Sequence, residues 1–209
     1  MKHFNGELKV SDFELDQLKE TVNIGASHAS TALSQLTKKR IGITVPQVHI
    51  DSVEKSIDYV GAKEKISTSV IVNILGDSTG IMFFLFKDNN GQKLAHLISS
   101  GQDGNDMLTE EDRSVLSEVG NILSGACLTA LSKFLGINML HSVSEVVTDI
   151  LGTIINSVVK EIRKASDVAL VFKVTLSVDG EDIETDLFFL MDPEFTDRVL
   201  SLTQKQFNR

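Results

Sequence analysis

The chain has 209 residues, of which 42% are apolar and 23% charged, so it can bury a real core and is not compositionally disordered. Its formal net charge of -9 argues against a nucleic-acid groove, since nothing would neutralise backbone phosphates, and suits a protein partner with a basic surface. The one cysteine, Cys127, excludes an internal disulfide and a thiolate metal cluster; in an apolar helical run it reads as a small core residue. Residues 1–10 carry no signal-like apolar run, and no apolar stretch nears the ~18 residues of a membrane span. The expectation is a cytoplasmic protein without membrane insertion.

In chain order, Ser11-x-x-Glu14 reads as a helix start of the capping-box type, opening a helix over 12–38. Residues 41–50 alternate as a strand. Residues 67–75 and 80–87 form a hairpin around Gly76-Asp-Ser-Thr, followed by a short helix over 90–99. Residues 101–105 are turn-rich and polar. Thr109-x-x-Asp112 opens a second long helix over 110–135, with Asp in the place of Glu weakening the box. Residues 144–163 read as helical and strongly apolar, richer in apolar side chains than 51–65, the region in the same place earlier in the chain. A second hairpin spans 167–178 and 184–191 around Asp179-Gly180, and a closing helix is expected over 193–206.

The chain repeats itself. Glu118-Val-Gly-Asn121-Ile122 lies 98 positions after Glu20-Thr-Val-Asn23-Ile24, and Thr109-x-x-Asp112 lies 98 after Ser11-x-x-Glu14. Ala29, Thr31, Ala32, Leu33 and Ser34 return in the same register as Cys127, Thr129, Ala130, Leu131 and Ser132. The expected organisation is a single domain of two repeats, about 11–104 and 109–209. Hairpins and long helices make it α+β, with a mainly antiparallel sheet and a pseudo-two-fold between the halves.

On the first long helix Leu15, Leu18, Val22, Ala26, Ala29, Leu33 and Leu36 share a buried face, and Asp16, Glu20, Asn23, Ser27, Ser30 and Ser34 form a polar stripe. On the second, Leu116, Leu123, Cys127, Leu131 and Phe134 are buried, and Ser114, Glu118, Asn121 and Gly125 line the stripe. Glu and Asn at i, i+3 emerge together, and short neighbours let another macromolecule approach. A carboxamide can hold a water molecule in line without gaining or losing a proton, and phosphoryl transfer asks mainly for positioning and charge stabilisation. A glutamate can pair with a lysine on an incoming protein. The pair has no metal site, phosphate cradle or nucleophile, so its substrate must bring both metal and electrophile.

Other motifs read as structure. His3, His28, His49, His96 and His141 lack ligand spacing. Gly76-Asp-Ser-Thr-Gly80 lacks a P-loop ending and sits between strands; Ser124-Gly-Ala-Cys127 lies inside a helix rather than at a nucleophile elbow; Asp179-Gly-Glu-Asp182 is a solvated turn without calcium-loop spacing.

Asp16-x3-Glu20-x2-Asn23-x22-Pro46 and Ser114-x3-Glu118-x2-Asn121 resemble the duplicated signature of the CheC/CheX/FliY chemotaxis phosphatases, over nearly the whole chain and closest to the CheC branch. The resemblance implies the CheC-like fold and hydrolysis of the aspartyl-phosphate of phosphorylated CheY. Glu20 and Glu118 would contact a lysine of the response regulator, and Asn23 and Asn121 would orient the attacking water. Asp16, Pro46 and Ser114 would support the motif. It implies no cofactor of the chain's own, with Mg²⁺ supplied by the response regulator, and a second partner in the receptor deamidase CheD. The second repeat departs from the pattern, with Val143-Ser144 where the proline would fall. Removing both asparagines is expected to abolish activity with the fold intact. The competing readings are a non-catalytic adaptor that senses phosphorylated regulator, and a flagellar switch component. An internal repeat that pairs its own halves makes a monomer the expectation.

Overall fold

The computed structural model describes residues 11–53, 55–56, 64–99, 108–162 and 168–191. The elements, in chain order, are α1 (Asp12–Thr37), β1 (Ile41–Ser52), β2 (Ile66–Gly76), β3 (Gly80–Lys87), α2 (Asn90–Ser99), α3 (Glu110–Leu135), β4 (Met139–His141), β5 (Glu145–Ile150), α4 (Leu151–Ile162), β6 (Val168–Val178) and β7 (Glu181–Met191). The architecture is α+β. One sheet runs β1-β6-β7-β3-β2-β4, with β5 also on β2, and every pairing is antiparallel.

β4 and β5 are two stretches along one edge of β2. Position for position they repeat β1, 98 residues on. The two halves exchange these strands: β1 pairs with the second half's hairpin β6–β7, while β4 and β5 pair with the first half's hairpin β2–β3. The hairpins meet at the centre, where Phe83 faces Phe188 across β3 and β7 and the rings stack at 4.5 Å. Each half therefore completes the other's sheet.

Strand alternation sorts the core into two layers. Met82, Phe84 and Phe86 face the side packed by Leu18, Val22 and Ala26 of α1 and Leu116, Leu123 and Leu131 of α3. Ile81, Phe83 and Leu85 face the other side, where α4 contributes Leu151, Ile155 and Val158. Burial on both faces explains why Ile81–Phe86 is continuously apolar rather than alternating. Where α4 no longer covers that second side, buried Asp186 takes Lys87 Nζ at 2.8 Å and Lys173 Nζ at 2.5 Å, lining a polar hollow with Pro46 and Gln47.

Local signals set the helix ends. At α3, Asp112 N–H donates to Thr109 Oγ1 (3.1 Å) and Thr109 N–H to Asp112 Oδ2 (2.9 Å), so the box formed with Asp is complete. The short Asp side chain also receives Thr109 Oγ1 (2.9 Å) and lies 3.3 Å from His96 Nε2 of α2. Gly136 closes α3 in the left-handed conformation, φ 65°. At α1, Leu15 N–H donates to Ser11 O (3.1 Å), while the Glu14 side chain lies outside the described residues. Asp179 and Gly180 both have positive φ, the two-residue turn that right-twisted hairpins prefer.

Three expectations need correction. Residues 145–150 are strand β5 and only Leu151–Ile162 is helix; the apolar content of this stretch feeds an edge strand and an amphipathic helix in succession. Leu36 is 59% exposed, although Leu33 one turn earlier is 1% exposed, so the buried face of α1 ends at Leu33. By length and composition α3 could cross a membrane, contrary to the expectation from runs of apolar residues; in this fold its apolar side chains pack on the sheet and on α1. The closing helix over 193–206 and the junction at 101–105 lie outside the described residues.

α1 and α3 touch at Gly25. A Cβ there would lie 2.9 Å from both Ala126 O and Cys127 Cα, backbone atoms that cannot swing aside. Cys127 is buried at this contact, and burial pushes its thiol up to about 12, which makes it an inert core residue. Gly25→Ala forces the two helices apart. It is expected to lower stability by about 1–3 kcal/mol in urea unfolding, while Gly136→Asn, at an open αL position, changes it by much less.

Candidate functional site

Each long helix is followed by a strand with one residue too many. Along β1, three steps from Thr44 to Gln47 face two steps from Thr175 to Lys173 on β6. Along the opposite edge, four steps from His141 to Glu145 face three from Ile74 to Ile71 on β2. Both are bulges, at the same place in the repeat, and a bulge leaves backbone groups without ladder partners.

The asparagines of the polar stripes reach these bulges. Asn23 Oδ1 accepts from Val45 N–H (2.8 Å) and Asn23 Nδ2 donates to Val45 O (3.2 Å). In the second repeat Asn121 Oδ1 accepts from Ser144 N–H (3.0 Å). Val45 corresponds to Val143, so the second contact sits one residue further along. The reason is Pro46: proline has no N–H, and Asn23 takes the preceding residue, whereas Ser144 supplies the missing donor. Ser144 is tied down further, with Oγ donating to Ser117 O (2.9 Å) and lying 2.7 Å from Ser117 Oγ. A rigid ring in one repeat is replaced by hydrogen bonds in the other.

Glu20 and Glu118 are exposed and make no ion pair among the described residues. Asn23 and Asn121 are half-buried beside them. Asp16 is exposed and pairs with Lys19 at 3.3 Å; Ser114 and Pro46 are exposed. Each helix thus brings its Glu and Asn together with the following strand. The Cβ atoms of Glu and Asn share one helix face, but the carboxamides turn back to the backbone. A carboxamide has two donor hydrogens and two acceptor lone pairs. Asn23 therefore keeps one of each, and Asn121 keeps both hydrogens and one lone pair. That remaining capacity is what could hold a water molecule.

The C-terminal part of the first stripe is not open as expected. Ser34 Oγ accepts from Ile41 N–H (3.0 Å), and both Ser30 Oγ and Ser34 Oγ donate to Ile41 O. Ser132 Oγ accepts from Met139 N–H (3.2 Å) in the same way. These serines clamp the start of the following strand. The repeat itself carried the signal, since Ser34/Ile41 and Ser132/Met139 keep the common offset. Gly125 is likewise covered: His141 Nε2 would lie 3.2 Å from a Cβ there. Among the described residues, no group of three His, Cys, Asp or Glu side chains is arranged to hold a metal ion.

The fold and these contacts define a duplicated α+β protein that presents two Glu/Asn helix faces, each backed by a bulged strand. A family model described as CheC-like matches residues 13–50 and 111–143, the helix, bulge and strand of each repeat. The chain is similar to the CheC-like family over these two segments. It is 29% identical over 198 residues to the CheY-P phosphatase CheC of Bacillus subtilis (strain 168), covering 93% of both chains. Its fold matches FliY of Thermotoga maritima with a TM-score of 0.75 at 19% identity, over 95% of this chain and 99% of that one. It also matches the FliM middle domain of Vibrio alginolyticus with a TM-score of 0.61 at 15% identity, over 88% and 99%.

Because the asparagines hold the bulges, truncating them also affects stability. Asn23→Ala removes two backbone contacts and is expected to cost about 1–3 kcal/mol; Asn121→Ala, which removes one, costs less. Thermal unfolding of the two single variants checks this order. Ser144→Pro, which restores the motif proline, is expected to destabilise, since it removes the N–H and the hydroxyl that hold the second bulge.

Proposed function

We propose that this chain hydrolyses the aspartyl-phosphate of a CheY-type chemotaxis response regulator at two sites, Glu20/Asn23 and Glu118/Asn121. The observation that carries the reading is the twin placement of an exposed carboxylate, without an ion pair among the described residues, one helical turn from a carboxamide that the backbone holds in place. A fixed carboxamide loses little freedom on engaging a water molecule, which is what positioning catalysis requires. Each glutamate pairs with a lysine of the regulator and sets the register of docking. The free donor and acceptor of the asparagine orient a water in line with the phosphoryl group. The water oxygen bonds to phosphorus as the bond to the aspartyl carboxylate breaks, releasing inorganic phosphate; the Mg²⁺ that steadies the charge belongs to the regulator. The name of the Bacillus subtilis relative supports the substrate class. A cytoplasmic, monomeric protein that also binds a CheD-type receptor deamidase belongs to the same reading.

One observation favours a second reading. The asparagines already have backbone partners, so the faces could serve as docking surfaces alone, in an adaptor that senses the phosphorylated regulator and regulates the deamidase.

Phosphate release from a phosphorylated regulator at substoichiometric amounts of this protein separates the two. Many turnovers per protein are expected; release no faster than the regulator's own rate would leave only the adaptor. Glu20→Lys with Glu118→Lys should suppress stimulation about a hundredfold through like-charge repulsion, with the melting temperature unchanged. Either substitution alone should leave partial activity.

A further inference from the structure

The one-residue difference between the two asparagine contacts has an effect on the surface. At a bulge the alternation of side chains is broken, so a shift of one position in the held residue changes which side chain turns outward. In the first repeat Asn23 holds Val45 itself, and the Val45 side chain is 2% exposed, inside the core. In the second repeat Asn121 holds Ser144, and Val143, the counterpart of Val45, is 81% exposed. The helices show the reverse. Ile24, next to Asn23, is 51% exposed, whereas its counterpart Ile122 packs partly against the core. Each Glu/Asn pair is thus flanked by one exposed branched aliphatic side chain, supplied by the helix in the first site and by the bulge between β4 and β5 in the second.

We propose that Ile24 and Val143 are the apolar anchors with which the two sites grip the phosphorylated receiver domain of the response regulator, an inference that rests on the docking role given above to Glu20 and Glu118. The charges select this occupant. Ile24 lies one helical turn beyond Glu20, and Val143 adjoins the residue that Asn121 holds beside Glu118. A complementary surface therefore offers a cation next to an apolar patch. A second copy of this chain, with its net charge of -9, would set carboxylate against carboxylate. An apolar side chain covered on docking adds affinity through the area it removes from water, whereas rim charges act mainly on the rate of encounter. The two sites accordingly hold one partner through different elements and are not equivalent in binding.

The test uses the full chain and a CheY-type response regulator loaded with beryllofluoride and Mg²⁺, a stable stand-in for the phosphorylated form. Glu118→Lys leaves only the first site, and Glu20→Lys only the second. Adding Ile24→Ser should weaken binding about tenfold in the Glu118→Lys protein and leave the Glu20→Lys protein unchanged; Val143→Ser should do the reverse. Both residues are exposed, so melting temperatures should hold. Affinities within twofold in all four proteins, or equal weakening of both sites by either serine, would overturn the inference. If the site-selective losses appear but no phosphate is released, the phosphatase reading fails and the anchors stand. If phosphate is released with many turnovers but the serines change nothing, the anchors fail alone. No binding by either single-site protein overturns both.

Discussion

A bulged strand needs something to satisfy the backbone groups that its ladder cannot reach, and in this protein a side chain from the motif helix does so. Asn23 takes both backbone groups of Val45, and Asn121 takes the N–H of Ser144. These contacts fix how each long helix sits against the strand that follows it. The serines further along strengthen the joint, with Ser34 and Ser132 each accepting the N–H of the strand's first residue. The same asparagine is thus both a structural fastener and the neutral half of the candidate site. A carboxamide suits this double role, because it has enough donors and acceptors to hold backbone and still engage a water molecule.

The exchange of leading strands between repeats makes the two sites parts of one body. β1 lies against β6 and the β4–β5 edge lies against β2, so neither helix–bulge unit can shift without disturbing the other half's hairpin. α1 and α3 meet where Gly25 lies against Ala126 and Cys127, and that contact depends on a residue with no side chain. The close approach places the two Glu/Asn faces on neighbouring helices of one layer.

Pro46 and Ser144 show how a duplicated scaffold diverges without losing its shape. Proline fixes its own φ and withholds a donor. Serine supplies the donor and two further hydrogen bonds to α3, so the bulge survives in both repeats. What changes is which residue the asparagine holds, and with it which side chain turns outward.

Several features were legible in the chain alone. The 98-residue repeat, the two long helices, both hairpins, α2 and the Glu/Asn faces follow from local periodicity, capping residues and turn chemistry, all of which act within a few positions. The core face of each long helix was legible for the same reason, apart from Leu36 in the last turn of α1, which is exposed. Strand β5 was read as helix because Glu145–Ile150 is a short stretch of mixed polarity beside an apolar helix, and its type is set by pairing with β2, about 80 residues earlier, and not by its own pattern. The strand exchange, the bulges and the asparagine contacts are long-range facts of the same kind. The sequence by itself determined that the chain carries two Glu/Asn faces and what those groups could do. Only the tertiary structure decided that the carboxamides are anchored to the backbone and that the two faces differ, because hydrogen bonds between a helix and a distant bulge leave no local pattern to read.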